Sequence, residues 1–551
     1  MPVVLEAMGE ALHELGLSVM FGLPGSGNYE FIHAARAAGV RYVGSNHEAG
    51  AVGMADGWSR VTGNVGLVML SQGPGLTNGL TALTEAVKSR TPLVVAVIDT
   101  PRTSLHGNLN IDQAAVVAAL GAGVARVRSA DTAVADLARA IRLAEVERRP
   151  VVLMLPLDLV HMQVPAERAV PEKLVLPAPP WPAPQRIEEI ADLVQRSSRP
   201  VILAGRGAVR SQARESLIAL ADRIGAVLTV SAPAKGLFAG HTFDLGISGS
   251  FASPLAAEVI AQADLVLAFG ASVNAWTTGN GRVVRPDVAV VQVDVDATAI
   301  GVHRPVDVAL QADASVTATL LDRALEHRQG WTQTGLRDGD LTARIRNRDP
   351  GAEFTAAPAG ERLDPRALTV ALDRLLPEQR TVTIDSGHFM GWPAKYLSAP
   401  DAAGFIYPQS FQCVGLGLGA AIGAAVARPD RISVLTIGDG GMMLSPQELD
   451  TAVRNRLALL VLVYNDSAYG AEVHRFQPMG LEVDLVEFPE RDFAAMAVAV
   501  GAQGLTVSTP EDLDGLGEWL REPDGPMVVD LKIDPTVLGD WIAGNSKAAL
   551  S

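Results

Sequence analysis

The 551-residue sequence predicts an α/β protein made of three doubly wound parallel sheets. Three observations carry that reading. Short apolar runs look like strands buried on both faces, alanine-rich helical stretches lie between them, and two polar or proline-rich breaks divide the chain into three blocks. The length fits about three or four domains at roughly 100–200 residues each. A 48% hydrophobic content is enough for several buried cores.

The first block spans residues 1–170. It contains strand candidates at Val65–Leu70 and Pro92–Ile98, with a helical stretch from Thr77 to Lys88 between them. A proline-rich segment, Pro171 to Pro184, reads as an extended linker. The second block, 185–330, has strand candidates at Pro200–Ala204, Leu265–Phe269 and Val288–Val293. Residues 330–362 are polar, with Gly, Asp, Arg and Pro, and read as a second linker. The third block, 363–535, has strand candidates at Val382–Ile384, Ile432–Ile437 and Leu459–Tyr464. The short tail after Asp540 reads as loose or docked on a partner.

Bulk properties narrow the function classes. A formal net charge of −16 disfavours nucleic acid or an anionic membrane as partner. No run of about twenty uncharged apolar residues is present, so no membrane span is expected. The N-terminus, Met1-Pro2-Val3-Val4-Leu5-Glu6, lacks the basic then apolar pattern of a secretion signal. A single cysteine, Cys413, permits no intrachain disulfide and fits a cytoplasmic protein.

The densest chemistry lies in the third block. Strand Ile432–Ile437 runs into Gly438-Asp439-Gly440-Gly441, and a helix is expected from about Ser445-Pro446-Gln447-Glu448. The next strand runs into Tyr464-Asn465-Asp466-Ser467-Ala468-Tyr469-Gly470. Ligands of open parallel sheets sit at the carboxyl ends of strands. Two acidic residues, Asp439 and Asp466, therefore reach the ligand edge from two strands. Hard oxygen donors on such loops suit Mg²⁺, which in turn binds phosphates. The glycines let backbone N–H groups approach a diphosphate. Taken alone, Gly-Asp-Gly fits an ordinary turn equally well. The pair at this spacing is more specific.

The segment 438–470 resembles the thiamine-diphosphate motif, Gly-Asp-Gly followed one helix and one strand later by Asn-Asn. This chain carries Asn465-Asp466 there. The resemblance implies a metal held by Asp439, Asp466 and the main-chain carbonyl of Ala468. An Asp in place of Asn adds negative charge at a cation site. In the first block, Asn46-His47-Glu48-Ala49-Gly50-Ala51 is similar to the His-Glu segment of acetolactate synthases, benzaldehyde lyases and benzoylformate decarboxylases. Further matching pieces are Phe21-Gly22-Leu23-Pro24-Gly25-Ser26, Gly73-Pro74-Gly75-Leu76-Thr77-Asn78 and the glycine-rich stretch Gly415 to Gly423. The resemblance covers essentially the whole chain.

It implies a pyrimidine-binding first domain, a Rossmann-like middle domain and a diphosphate-binding third domain. On residue type alone Glu48 reads as an exposed helix residue. By resemblance it is the carboxyl group that hydrogen-bonds the aminopyrimidine ring and promotes loss of the thiazolium C2 proton. Pro24, Gly25, Gly73, Asn78, Gly387, His388, Tyr469 and Gly470 are implied cofactor contacts beside the Gly438–Gly441 loop. His388 also fits a capping or buried structural histidine. Val414, before Gly415, matches the apolar wedge that bends the cofactor, and equally fits core packing. In this family the glutamate and the diphosphate site of one centre come from different subunits. A homodimer with shared active sites is therefore implied, with homotetramers common.

Around the reacting carbon the resemblance places Ser26, Gln113 and Glu472. Ser26 also fits a helix N-cap, and Gln113 an exposed side chain. Glu472 matches a catalytic glutamate of pyruvate decarboxylases, and its competing reading is a solvated helix residue. His474 is a further proton-transfer candidate. Flavin-binding acetolactate synthases carry an arginine where this chain has Ser272, so thiamine diphosphate and Mg²⁺ are expected without FAD. Arg475 stands where those synthases have a tryptophan that selects the second 2-oxo acid. The motif set favours an acetolactate-synthase-like reaction: decarboxylation of a 2-oxo acid and transfer of the acyl carbanion to a carbonyl acceptor. The runner-up is simple decarboxylation to an aldehyde, or lyase cleavage of a 2-hydroxy ketone.

Overall fold

The computed structural model describes the chain except residues 105, 166–175, 329–334, 358–361 and 546–551. Part of each expected linker therefore lies outside the described residues. Among the described residues eighteen strands form three six-stranded sheets, and every ladder between them is parallel. The first sheet holds β1 (Val19–Gly22), β2 (Arg41–Gly44), β3 (Gly66–Leu70), β4 (Leu93–Asp99), β5 (Gly123–Arg126) and β6 (Val151–Pro156). The middle sheet holds β7 (Pro200–Ala204), β8 (Val227–Val230), β9 (Asp244–Ile247), β10 (Leu265–Phe269), β11 (Ala289–Asp294) and β12 (Val308–Gln311). The third holds β13 (Arg380–Ile384), β14 (Phe405–Ile406), β15 (Ile432–Gly438), β16 (Leu459–Asn465), β17 (Gln503–Val507) and β18 (Met527–Lys532).

The first and third sheets share one topology, β2-β1-β3-β4-β6-β5 and β14-β13-β15-β16-β18-β17. The middle sheet runs β12-β11-β10-β7-β8-β9, the doubly wound Rossmann order. Central strands such as β4 and β16 are buried along their whole length, as strands covered by helices on both faces must be. All three sheets thus match the expected fold class.

The order of strands reverses between β1 and β3, between β7 and β10, and between β13 and β15. Loops leaving those strand pairs diverge and open a crevice, so each sheet has a ligand-binding edge there. The first and third sheets are joined by two helices, Glu48–Thr62 and Gly417–Ala427, that meet through glycines. A Cβ on Gly57 would lie 2.1 Å from the Ala420 carbonyl oxygen, and one on Gly423 1.9 Å from that of Met54. Only glycine permits so close an approach of two backbones.

Three expectations are corrected. The stretch Thr77–Lys88 is two helices, Pro74–Asn78 and Leu80–Lys88, divided at Gly79. Residues 330–362 are not merely a linker: helix Gly339–Arg346, N-capped by Asp338, seats Leu341 in the core of the middle sheet. The stretch from Asp540 is not loose, because helix Asp540–Asn545 buries Trp541 against His388.

Candidate active site

At the switch point of the third sheet, the loops after β13, β15 and β16 converge on one cavity of about 1080 Å³. Gly387, His388, Val414, Gly438, Asp439, Gly440, Gly441, Asp466, Ala468, Tyr469, Gly470 and Glu472 all line it. Asp439 is not on a loop, as the sequence suggested, but opens a short helix, Asp439–Leu444. The next helix begins at Glu448. Asp439 Oδ1 accepts the Gly440 N–H at 2.8 Å, while Oδ2 is buried with no hydrogen-bond partner among the described residues. A buried, unpartnered carboxylate oxygen is costly unless something fills its coordination.

The glycines are dictated by crowding. A Cβ on Gly440 would meet the Tyr469 ring at 2.4 Å, and one on Gly470 would meet Asp466 Oδ2 at 2.5 Å. Burial pushes the Asp439 carboxyl up to about 6. Burial, reinforced by the negative charge of Asp439, pushes Asp466 up to about 7. Two carboxylates raised in this way, Asp439 with an orphaned oxygen and Asp466 beside the Ala468 backbone, form a donor set that fits a hard divalent cation.

Asp385 was not recognised in the sequence. It is fully buried, accepts N–H groups from Gly415 and Gly417, and so anchors the turn that carries Val414. Its carboxyl is raised to about 6 by burial, against the lowering effect of those backbone donors. The signal was weak because a single Asp after a strand is common.

His388 is 5% exposed and held down at about 3, first by burial and then by His474, so it is neutral. Its Nε2 accepts the Gly539 N–H at 3.0 Å, which leaves the proton on Nδ1, the atom nearest Gly470. The Trp541 indole N–H donates to the His388 carbonyl at 3.1 Å. The C-terminal segment thus fixes the tautomer and position of this histidine.

Glu472 and Arg475 lie three residues apart on helix Gly470–Phe476 and both line the cavity; Glu472 is exposed and Arg475 half-buried. Neither forms an ion pair among the described residues.

The remaining candidates gather on the first sheet. Glu48 opens helix Glu48–Thr62, is 8% exposed, and accepts a hydrogen bond from Asn78 Nδ2 at 3.0 Å. Gly75 stands beside its other oxygen. Pro24, Gly25 and Ser26 follow β1, and Gly73 follows β3, so all lie at that sheet's switch point. Ser26 caps no helix: the N-cap of Tyr29–Ala37 is Asn28, which accepts the Gly25 N–H and donates to the Leu23 carbonyl. Gln113 is not the exposed side chain that its residue type suggests. It is 2% exposed, its Oε1 accepts the Gly73 N–H, and its Nε2 donates to Ile98 and Asp99. Its amide supports the Gly73 turn. None of these first-sheet residues lines the cavity of the third sheet in the same chain. Within one chain Glu48 and Asp439 therefore lie at the edges of two different sheets.

Comparisons with known proteins agree with this architecture. Three family descriptions match in order. These are thiamine pyrophosphate enzyme N-terminal TPP binding domain over residues 3–116, central domain over 187–321, and C-terminal TPP binding domain over 385–531. The chain is 31% identical to a probable 2-ketoarginine decarboxylase of Pseudomonas aeruginosa, covering 96% of this chain and 92% of that protein. It is 26% identical to a probable acetolactate synthase large subunit of Methanocaldococcus jannaschii, covering 96% and 92%. A solved 4-hydroxybenzoylformate decarboxylase from Rhodococcus jostii shares the fold with a TM-score of 0.81 at 23% identity, over 97% of this chain and 100% of that one.

Proposed function

This chain belongs to the thiamine pyrophosphate enzymes, and on that premise we propose that it decarboxylates a 2-oxo acid and releases an aldehyde. It is a C–C bond forming or cleaving enzyme by family. The observation that carries the finer reading is Glu472, an unpaired carboxyl lining the same cavity as Asp439 and Asp466.

The residues present fit thiamine diphosphate with Mg²⁺. Asp439, Asp466 and the Ala468 carbonyl would hold the cation, the cradle Gly438–Gly441 with Gly387, His388 and Gly470 the diphosphate, and Val414 the bend between the rings. Bound there, the cofactor supplies the electron sink that lets a 2-oxo acid lose CO₂. The chain's own work is to position and to move protons. Neutral His388 offers an Nδ1 donor, since Gly539 occupies Nε2. Asp385 keeps the Val414 turn in place. Glu48, with Asn78 on one oxygen, would present the other to the aminopyrimidine ring. Glu472 delivers a proton to the carbon that has lost CO₂, which favours aldehyde release over attack on a second carbonyl. Ser26 would face the substrate from the first sheet.

The division of Glu48 and Asp439 between two half-sites supports a homodimer, in which each centre takes one half from each chain. Acyl transfer to a carbonyl acceptor, which the motif set favoured, is the second reading. It is supported by the likeness to an acetolactate synthase. FAD is no part of the proposal, because Ser272 stands where flavin enzymes carry arginine.

The deciding experiment incubates the loaded enzyme with a panel of 2-oxo acids, with and without aldehyde acceptors, and identifies products. Wild type is expected to release mainly aldehyde, and Glu472→Gln to slow that release or divert product to the ligated 2-hydroxy ketone. Equal product ratios in wild type and variant refute the role of Glu472.

A further inference from the structure

Arg475 is a cation without an assigned partner. It lines the cavity from the last turn of helix Gly470–Phe476, the same helix that carries Glu472. Its guanidinium lies 5.3 Å from the Phe476 ring centroid, a contact within its own helix. Most other arginines of this cavity wall are engaged; Arg210 donates to the Arg90 carbonyl, and Arg148, on the first-domain side of the wall, has no side-chain hydrogen bond or ion pair among the described residues. Arg60 pairs with Asp56 and Glu85, Arg90 with Asp296, and Arg206 donates to Ser89 and Thr91. Arg475 has no ion pair or hydrogen bond of that kind among the described residues. A guanidinium lining a cavity is a directional binder of carboxylate or sulfonate.

Position selects what it would bind. Helix Gly470–Phe476 starts beside Asp466 and carries Arg475 in its last turn. Three residues at about 1.5 Å rise place Arg475 about 4.5 Å farther along the axis than Glu472. A substrate whose reacting carbonyl sits at Glu472 would present to Arg475 a group a few bonds down its chain.

We propose that Arg475 is a specificity-determining residue that binds an anionic group remote from the reacting carbonyl, and that the enzyme prefers substrates carrying such a group. The inference rests on the proposed reaction and adds a substrate class to it. The anion can enter on the 2-oxo acid donor or on an aldehyde acceptor, and the chemistry of recognition is the same. It also sets this chain against 2-oxo acids with cationic side chains, because a guanidinium tail would face like charge.

The test compares kcat/KM for 2-oxoglutarate, 2-oxohexanoate and 5-guanidino-2-oxopentanoate in wild type, R475L, R475K and R475E holoenzymes. A second arm uses 2-oxohexanoate as donor with succinic semialdehyde or butanal as acceptor, which separates the two entry routes. Calorimetry of glutarate against pentanoate binding reads the same charge preference without turnover. A charged hydrogen bond of this type should favour the anionic tail by about 10- to 100-fold in wild type. That ratio should fall toward one in R475L, survive in part in R475K, and invert toward the cationic tail in R475E. If no 2-oxo acid is turned over, the proposed reaction fails while a glutarate preference lost in R475L still upholds Arg475. Turnover of 2-oxohexanoate with no anionic preference in either arm, or equal glutarate and pentanoate binding, overturns the assignment.

Discussion

Asp466→Asn restores the Asn-Asn pattern of the family and tests the electrostatics of the cation site directly. Asp466 rises from an ordinary 3.8 to about 7, first through burial and then through Asp439. At 1.36 kcal/mol for each pKa step, holding this carboxylate charged in the metal-free fold costs at most about 4 kcal/mol. The folded value lies above the unfolded one, so the charge removes stability instead of adding it. The cost is absent below about pH 4, grows between about pH 4 and pH 7, and is constant above that. Asp466→Asn removes it. Metal-free variant should therefore melt above metal-free wild type, by several degrees at neutral pH, and the gap should close toward pH 4. Bound Mg²⁺ should reverse the order. Two carboxylates attract the cation more than one, and wild-type affinity should climb as pH rises through about 6 to 7 while Asp439 and Asp466 lose their protons. The assay is a thermal melt of both proteins at about pH 4, 5, 6, 7 and 8, with chelator or with Mg²⁺ and thiamine diphosphate. A melting difference that ignores pH, or that keeps one sign whether or not the cation is present, refutes the reasoning.

Three further outcomes are expected. Glu48→Gln should bind the cofactor and keep its fold but lose C2 hydrogen–deuterium exchange by on the order of 10²-fold, read by NMR of the bound cofactor; exchange at the wild-type rate would sink the role given to Glu48. Mixing inactive Glu48→Gln with inactive Asp439→Asn after subunit exchange should restore about a quarter of wild-type activity, since half the dimers are mixed and one of their two sites is intact; no recovery, with exchange verified by mass spectrometry, rules out shared centres. Gly423→Ala must push a Cβ into the Met54 carbonyl at 1.9 Å, which should cost about 1–3 kcal/mol; a calorimetric melting temperature equal to wild type would show that the two helices yield more easily than their packing implies.

The sequence was most legible where one physical rule acted alone. Strands β4, β10 and β16 are apolar end to end because both of their faces are covered, and the runs at Pro92–Ile98, Leu265–Phe269 and Leu459–Tyr464 fall on them within a residue or so. Edge strands such as β5 and β17 did not stand out, because they are short and partly exposed and carry mixed residues. The ligand edge of the third sheet was readable for a related reason: Gly438–Gly441 and Asp466–Gly470 sit at strand ends where crowding forbids side chains, so the need for glycine shows in the letters. What stayed hidden depends on contacts between residues far apart in the chain. Gln113 looks like any polar helix residue until the Gly73 turn closes over it from 40 positions away. Asp385 gains its meaning from amides 30 and 32 residues later, and His388 from an amide 151 residues later. Those three side chains position the groups on either edge of the site, and no local pattern encodes such a role. The separation of Glu48 from Asp439 was implied by resemblance alone. The fold supplies the physical counterpart, because parallel sheets of one topology each open their own crevice at the carboxyl ends of their strands. A single chain with two such crevices and half the chemistry in each completes neither. In the proposed homodimer a second copy brings the missing half to each crevice, and the mixed-variant experiment is decisive because it asks for that completion and nothing else.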